Sequence, residues 1–491
     1  MLHSDRRFGL MNTPTPVGTL ISANKAAPGW TNAASAASEA KPPFTLPLPV
    51  EQARYRGLRL HGDRVVFSYT IGKTEILESA RLVRDDGVEM IVRTISLSKS
   101  SEEDDRAELI VGLTQNYSIA DQPHPVLRFK NHGPEDRDLI GLAADPAAIG
   151  FEDDGRGRLV VRGRKTQPVR RIVMAYARGD GKTEAALQRA LGRSELGDDL
   201  DGLVKPGPLR WGKPLLTKLE RGTPTGPFAI DTLTIPYDNP SKALFFCTGV
   251  DFLPDGRVAV CTCHGDVWLV TVDETAGSCT WRRFATGLYH PLGLKSVDGK
   301  LVVLETGQLT RLHDENDDGE ADYYECVTNA WHTGGGEHSY DTNLETDPQG
   351  HYYFFKTGDT HVSHGGCLMR VSKDGAKVDV FATGFRHPIG LGMSPTGIVT
   401  GADQEGNWMP GTRIDQYVAG GFYGDMRARI AIRCRKFTTD RSVGCRAKSI
   451  TRPAARFGFR PPTPRRRASR GDRLPACRCI FRTGVARRSS S

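Results

Sequence analysis

Nowhere in the 491 residues is there a run approaching eighteen apolar residues, so no segment reads as a membrane-spanning helix. The opening, Met1 to Pro16, lacks the apolar core of a secretory signal, so either the protein stays in the cytoplasm or its true N-terminus is missing. Aromatic residues are few, at 8%, while 54 glycines and 30 prolines favour a turn-rich β protein over a helical bundle. Cysteine gives no disulfide framework. Six of the ten (Cys247, Cys261, Cys263, Cys279, Cys326 and Cys367) precede residue 427. The run Cys261-Thr262-Cys263-His264 is one residue short of a haem-attachment Cys-x-x-Cys-His. Core thiols are the favoured reading over a metal or redox pair.

What is present is enough for several domains, with 38% apolar and 25% charged residues. The net charge of +8 is misleading as a whole. Residues 427–491 hold 18 Arg and 2 Lys against Asp440 and Asp472, a surplus of 18 that leaves the preceding 426 residues at −10. That tail has no Glu and no period of two or 3.6. It reads as a disordered basic arm suited to phosphate backbones, or as out-of-frame translation of a GC-rich gene. The second reading is favoured because the break falls abruptly after Gly420 to Asp425, so no nucleic-acid partner is expected.

Residues 1–42 are Ala-, Pro- and Ser-rich and read as a disordered leader or linker. Residues 43–203 read as a β-rich domain, with strand-like runs at Arg64 to Thr70, Glu89 to Arg93 and Leu159 to Val161, and one amphipathic helix from Thr183 to Leu191. Gly179-Asp180-Gly181-Lys182-Thr183 follows a strand-like run and precedes the helix, as a phosphate-binding loop does. The glycine required five residues before Gly181 is Tyr176, so a plain turn is the better reading. Residues 204–225 form a Pro/Gly-rich connection.

From residue 226 to 426 the sequence repeats. Turn signals recur at Gly256, Gly299, Gly350 and Gly397, spaced by 43, 51 and 47 residues. Phe284 to Leu294 returns, residue for residue in pattern, as Phe381 to Leu391. Such periods with short strands indicate a β-propeller, here incomplete at about four blades, whose sheets bury their apolar faces only by stacking. An open set of blades should expose an apolar face. The fold expected is therefore all-β: an N-terminal β-rich domain, an incomplete β-propeller, and a disordered basic tail.

Nine of the 13 histidines lie between His264 and His387, the densest group being His332, His338, His361 and His364 among Gly-rich loops. One acidic run fits the twelve-residue calcium loop, with oxygen ligands at positions 1, 3, 5, 9 and 12 and Gly319 at 6: Asp314, Asn316, Asp318, Glu320, Asp322 and Glu325 are the candidate metal residues. Its flanks read as strands, so the alternatives are a calcium-stapled β-connection and a solvated acidic turn.

His338 to Gly350, then Tyr352-Tyr353-Phe354 and Thr357-Gly358-Asp359, resembles the catalytic segment of soluble glucose/sorbosone dehydrogenase-like quinoprotein propellers. Gly384-Phe385-Arg386-His387-Pro388-Ile389-Gly390-Leu391 resembles that family's Gly-x-Arg-Asn-Pro-x-Gly-Leu, with His387 where the family has Asn. The preceding domain is similar to one found in large exported bacterial proteins of the membrane-bound dehydrogenase type. The resemblance implies a pyrroloquinoline quinone (PQQ)- and calcium-dependent dehydrogenase of sugars or polyols. His338 would be its general base, and Arg386 and His387 would contact the quinone. It also implies an extracytoplasmic location and a downstream cytochrome-type electron acceptor. The alternative is a secreted propeller scaffold that binds carbohydrate or protein without turnover.

Overall fold

The computed structural model describes residues 30–31, 53–98, 108–113, 117–120, 124–129, 137–143, 149–153, 158–163, 170–224, 226, 228–331, 339–357, 364–405, 411–425, 442–444, 477–478 and 487–488. Of the residues read as a leader, only Trp30–Thr31 are among them, and of the basic tail only the last three short segments. The described residues form two compact units, one within Thr15–Arg210 together with Asp322–Glu325, the other within Trp211–Ala321 and Cys326–Ser491. Nearly everything in both is antiparallel β-sheet.

In the first unit, Ala53–His61, Arg64–Ile71, Thr74–Asp85 and Val88–Leu97 form a meander extended by Arg171–Gly179 and Arg137–Leu142. A smaller sheet contains Glu108–Leu113, Arg158–Gly163 and Ile149–Asp153. Ile76, Ile95, Ile140 and Met174 from the large sheet pack with Leu109, Phe151 and Val161 from the small one. The other face of the large sheet carries Met90, Val92, Val173 and Ala175, covered by Leu187, Ala190 and Leu191 of the helix Gly181–Leu191. Alternation of side chains along Arg171–Gly179 explains this, because Ile172, Met174 and Tyr176 face one layer and Val173, Ala175 and Ala177 the other. Strand, glycine turn and helix do follow in the order of a phosphate loop, but the Asp180 carboxylate accepts the amides of Lys182 and Thr183. A carboxylate on the first-turn donors leaves an anion neither the hydrogen bonds nor the field it would need.

The second unit is a fan of blade sheets. The first is the meander Cys247–Phe252, Val258–Thr262, Val267–Asp273 and Ser278–Ala285. Leu215–Glu220, inside the stretch read as a connection, is added to its outer edge by pairing with Ser278–Ala285. The second blade holds Gly293–Val297, Lys300–Glu305 and Gln308–His313. Its fourth-strand place goes to Tyr323–Thr328, of which Cys326–Thr328 belong to this unit. The third is Asp341–Thr346, Tyr352–Lys356, Cys367–Val371 and Val378–Thr383; the fourth is Ile389–Met393, Val399–Asp403 and Arg413–Tyr417. Innermost strands of successive blades lie beside one another, as a radial arrangement requires. Lys295 crosses three of them, with Nζ 2.9 Å from Glu345 and 3.8 Å from Asp251.

The strand Tyr352–Lys356 shows why the blades stack. Tyr352 and Phe354 pack with Val302, Leu304 and Leu309 of the second blade, while Tyr353 and Phe355 pack with Leu391, Val399 and Tyr417 of the fourth. A strand apolar on both faces is stable only between two neighbours, and each such ring or aliphatic chain contributes about 1.5–3 kcal/mol on burial. The first blade has no preceding neighbour among the described residues. Leu244 and Phe246, just before its inner strand, and Val250 and Phe252, on that strand, are exposed.

The four turn glycines are equivalent. Gly256, Gly299, Gly350 and Gly397 all sit between φ +77° and +88°, closing the hairpin between first and second strands. A side chain there would strain the turn, which is why the sequence repeat is easiest to see at these positions.

Candidate functional site at the loop ends of the blades

Six residues after each turn glycine the second strand of a blade ends, on Thr262, Glu305, Lys356 and Asp403 in turn. Three of these four tie down a loop at the same end of the fan. Asp403 accepts the backbone N–H of Arg386 at 3.0 Å and those of His387 and Gln404 at 2.9 Å. Glu305 accepts the N–H of Tyr289 and the hydroxyl of Thr310. Lys356, with no exposed side-chain surface, pairs through Nζ with Asp341 at 3.1 Å and donates to Ser339 Oγ at 2.9 Å. Asp341 in turn accepts Trp331 Nε1 at 2.9 Å and the N–H of Gly307 at 2.6 Å.

Burial sets the electrostatics here. It pushes the carboxyl of Glu305 up to about 7, against the hydrogen bonds from Thr310 and Tyr289. It pushes Asp403 up to about 6 although the backbone amides of Arg386, His387 and Gln404 and the charge of Arg413 pull the other way. In both, removing the carboxylate from water outweighs two or three donors. His290 is shifted down, first by burial and then by His264, with Asp341 opposing, so its ring is neutral at physiological pH. Its ring centroid lies 6.0 Å from that of Tyr340 and its backbone φ is +55°. His290 Nδ1 is buried without a hydrogen-bond partner among the described residues.

Of the site residues expected from sequence, Arg386 and His387 lie at this end, in the loop between the third and fourth blades. Arg386 Nη1 donates to the backbone oxygen of Glu405 at 2.5 Å. His338, with His332 and His361, lies outside the described residues. Sequence reasoning passed over Tyr289, His290, Glu305, Asp341, Lys356 and Asp403. Two signals were available: Tyr289-His290 stands where Arg386-His387 stands in the sequence echo, and the strand-end residues follow the turn glycines at constant distance.

The acidic loop joins strands, as expected: Gln308–His313 precedes it and Tyr323–Thr328 follows. Asp314 accepts the amides of Asp318 at 3.1 Å and Gly319 at 2.8 Å, and Asn316 Nδ2 donates to Asp318 at 3.0 Å. Gly319 takes the bend at φ +87°. Glu320 is turned to the N–H of Trp211 at 3.0 Å, and Asp322 and Glu325 belong to the first unit. Among the described residues no group of three or more His, Cys, Asp or Glu side chains is placed to hold a metal ion. Asp314, Asn316 and Asp318 fit a cation only as a partial set.

The cysteines behave as core thiols. Cys261, Cys279, Cys326 and Cys367 are buried, and Cys247 and Cys263 half-buried, with no disulfide among them. Burial pushes the thiols of Cys247, Cys263 and Cys279 up to about 11, far from a reactive thiolate.

A domain family of unknown function (DUF6797) matches residues 1–78. No curated protein matches the chain. Among solved structures, a glucose dehydrogenase-type oxidoreductase from Thermus thermophilus is 20% identical, with a TM-score of 0.31, covering 38% of this chain and 65% of that one. A calcium-containing structure of a Trichoderma reesei carbohydrate-active enzyme of family AA12 is 12% identical, TM-score 0.31, covering 43% and 58%. The PQQ-bound aldose sugar dehydrogenase of Streptomyces coelicolor is 16% identical, TM-score 0.31, covering 45% and 70%. The chain thus spans less than two thirds of the first two. Likenesses this distant do not bear on activity. No helix among the described residues is long and apolar enough to cross a membrane.

Proposed function

We propose that the loop end of the blade fan is a sugar- or polyol-binding site of an extracytoplasmic quinoprotein-like dehydrogenase, with PQQ as the oxidant. The observation that carries this reading is His290, a neutral imidazole with a buried, unpartnered Nδ1, in the loop equivalent by sequence echo to the one that bears Arg386 and His387. A hydroxyl-rich ligand satisfies such a nitrogen. The residues present fit the quinone as far as they are described. The Arg386 guanidinium now donates to a loop carbonyl that a carboxylate would outcompete, because an ionic acceptor is the stronger one. PQQ, when bound, supplies a two-electron acceptor for hydride. Arg386 would hold a carboxylate of that group, with Asp403 fixing its backbone, and His338 would take the proton of the substrate hydroxyl. A cytochrome-type acceptor downstream would reoxidise the system.

Calcium enters the same reading through Asp314, Asn316 and Asp318. Titration calorimetry should show a calcium site lost in Asp314→Ala; no heat at millimolar calcium removes the ion from the proposal. For the dehydrogenase, the test is dye reduction with aldoses after loading with PQQ and calcium. Turnover that disappears in His338→Ala and Arg386→Ala supports it, and no spectral change and no turnover on loading rejects it.

One observation favours the second reading, a non-catalytic scaffold: the exposed row Leu244, Phe246, Val250 and Phe252 on the first blade. On that reading a protein partner covers the row, and Phe246→Ser would abolish partner binding while leaving any turnover intact.

A further inference from the structure

At the opposite ends of the same strands lies a second concavity, independent of the loop-end reading. Gly293–Val297 and Lys300–Glu305 run from the loop end to the hairpin of Gly299, where an open groove of about 700 Å³ separates the second and third blades. That volume falls within the range that holds small ligands. Its cations are Lys300, Arg311 and Lys373, and its carboxylates are Asp298 and Asp374. Lys373 is bound to Asp298 at 2.9 Å, and Asp374 accepts the hydroxyl of Ser372 at 2.6 Å. Lys300 has no carboxylate partner among the described residues; its Nζ lies 2.9 Å from Nδ1 of His313. His351 and the apolar wall of Val297 complete the lining.

This surplus of positive charge sits on a body whose first 426 residues carry a net −10, so it is not a by-product of general basicity. Lys300 and Lys373 come from different blades and face one cavity. The mixed lining also narrows the ligand. A bare phosphate or sulfate gains from the cations but is repelled by two carboxylates. A ligand carrying an anionic group beside hydroxyls uses both, because its hydroxyls donate to Asp298 and Asp374 while its acid meets Lys300 and Arg311.

We propose that the groove between the second and third blades, at the hairpin end, binds an acidic saccharide, a sugar chain bearing carboxylate or sulfate groups. The experiment is calorimetric titration of the full chain with digalacturonate, with cellobiose and inorganic sulfate in parallel. Digalacturonate binds, cellobiose and sulfate bind about tenfold more weakly or not at all, and raising the salt from about 0.05 to about 0.5 M weakens the acidic ligand. Lys300→Gln, an exposed position that does not threaten folding, weakens digalacturonate by about tenfold and leaves cellobiose unchanged. Equal binding of the acidic and neutral disaccharides overturns the proposal, as does the absence of binding by wild type or an unaltered affinity in Lys300→Gln. Sulfate binding as tightly as digalacturonate overturns the saccharide assignment in favour of a simple anion site.

Discussion

The two copies of the sequence echo use the same support to present different side chains. In the first, Glu305 at the end of a second strand accepts the amide of Tyr289; in the second, Asp403 at the same strand position accepts the amides of Arg386 and His387. The backbone of the loop between blades is therefore set by the architecture. The side chain at the supported position, phenol in one copy and guanidinium in the other, is free to vary with function. The third blade breaks the scheme, placing Lys356 where the second and fourth have an acid and the first has Thr262, and neutralising it with Asp341.

Lys356→Met gives the largest expected change, because it strands Asp341 as a wholly buried carboxylate. We expect a loss of about 3–5 kcal/mol in urea unfolding, and a loss near zero would mean the pair is not an isolated buried charge. Asp403→Ala leaves the amides of Arg386, His387 and Gln404 without their acceptor and should cost about 3 kcal/mol, with Asp403→Asn nearer 1 kcal/mol because one oxygen remains. Equal losses in the two would dismiss the role of the amide contacts.

Glu305 makes a prediction in pH. Its folded carboxyl titrates near 7, above the ordinary 4.5, so between those values the folded state binds more protons than the unfolded one. Stability from this group is present below about pH 4.5 and is lost as the pH rises to about 7, on the order of 3 kcal/mol in all. Glu305→Gln should flatten the stability profile across that window, measured by urea midpoints at several pH values; an unchanged slope would show that Glu305 is ionised throughout. The smallest effect belongs to Tyr289→Arg, which copies the second loop into the first. A half-exposed side chain on a fixed backbone should alter stability by less than about 0.5 kcal/mol, and a larger loss would mean the two loops are not interchangeable supports.

Much of this was legible in the sequence. The turn glycines gave the period because a left-handed backbone position admits little else, and the strand Tyr352–Lys356 announced burial on both faces by its unbroken apolar run. The helix was also legible, although it begins two residues before the expected Thr183 because Asp180 caps it earlier. The strand Leu215–Glu220 was masked by the surrounding Pro and Gly, and only its pairing with the first blade's outer edge makes it a strand. For the candidate site, Arg386 and His387 could be picked out from local motif, whereas Glu305, Lys356 and Asp341 are polar residues in runs that read as ordinary strand ends.

By itself the sequence determined periodicity, strand faces and turn positions, since these follow from local φ/ψ preferences and from which side chains water rejects. Only the tertiary structure decided which carboxyls titrate far from their usual range, which amides they hold, and that Lys300 and Lys373 of different blades face one groove. Desolvation and charge pairing depend on neighbours brought together across tens of residues, and no local pattern encodes those distances.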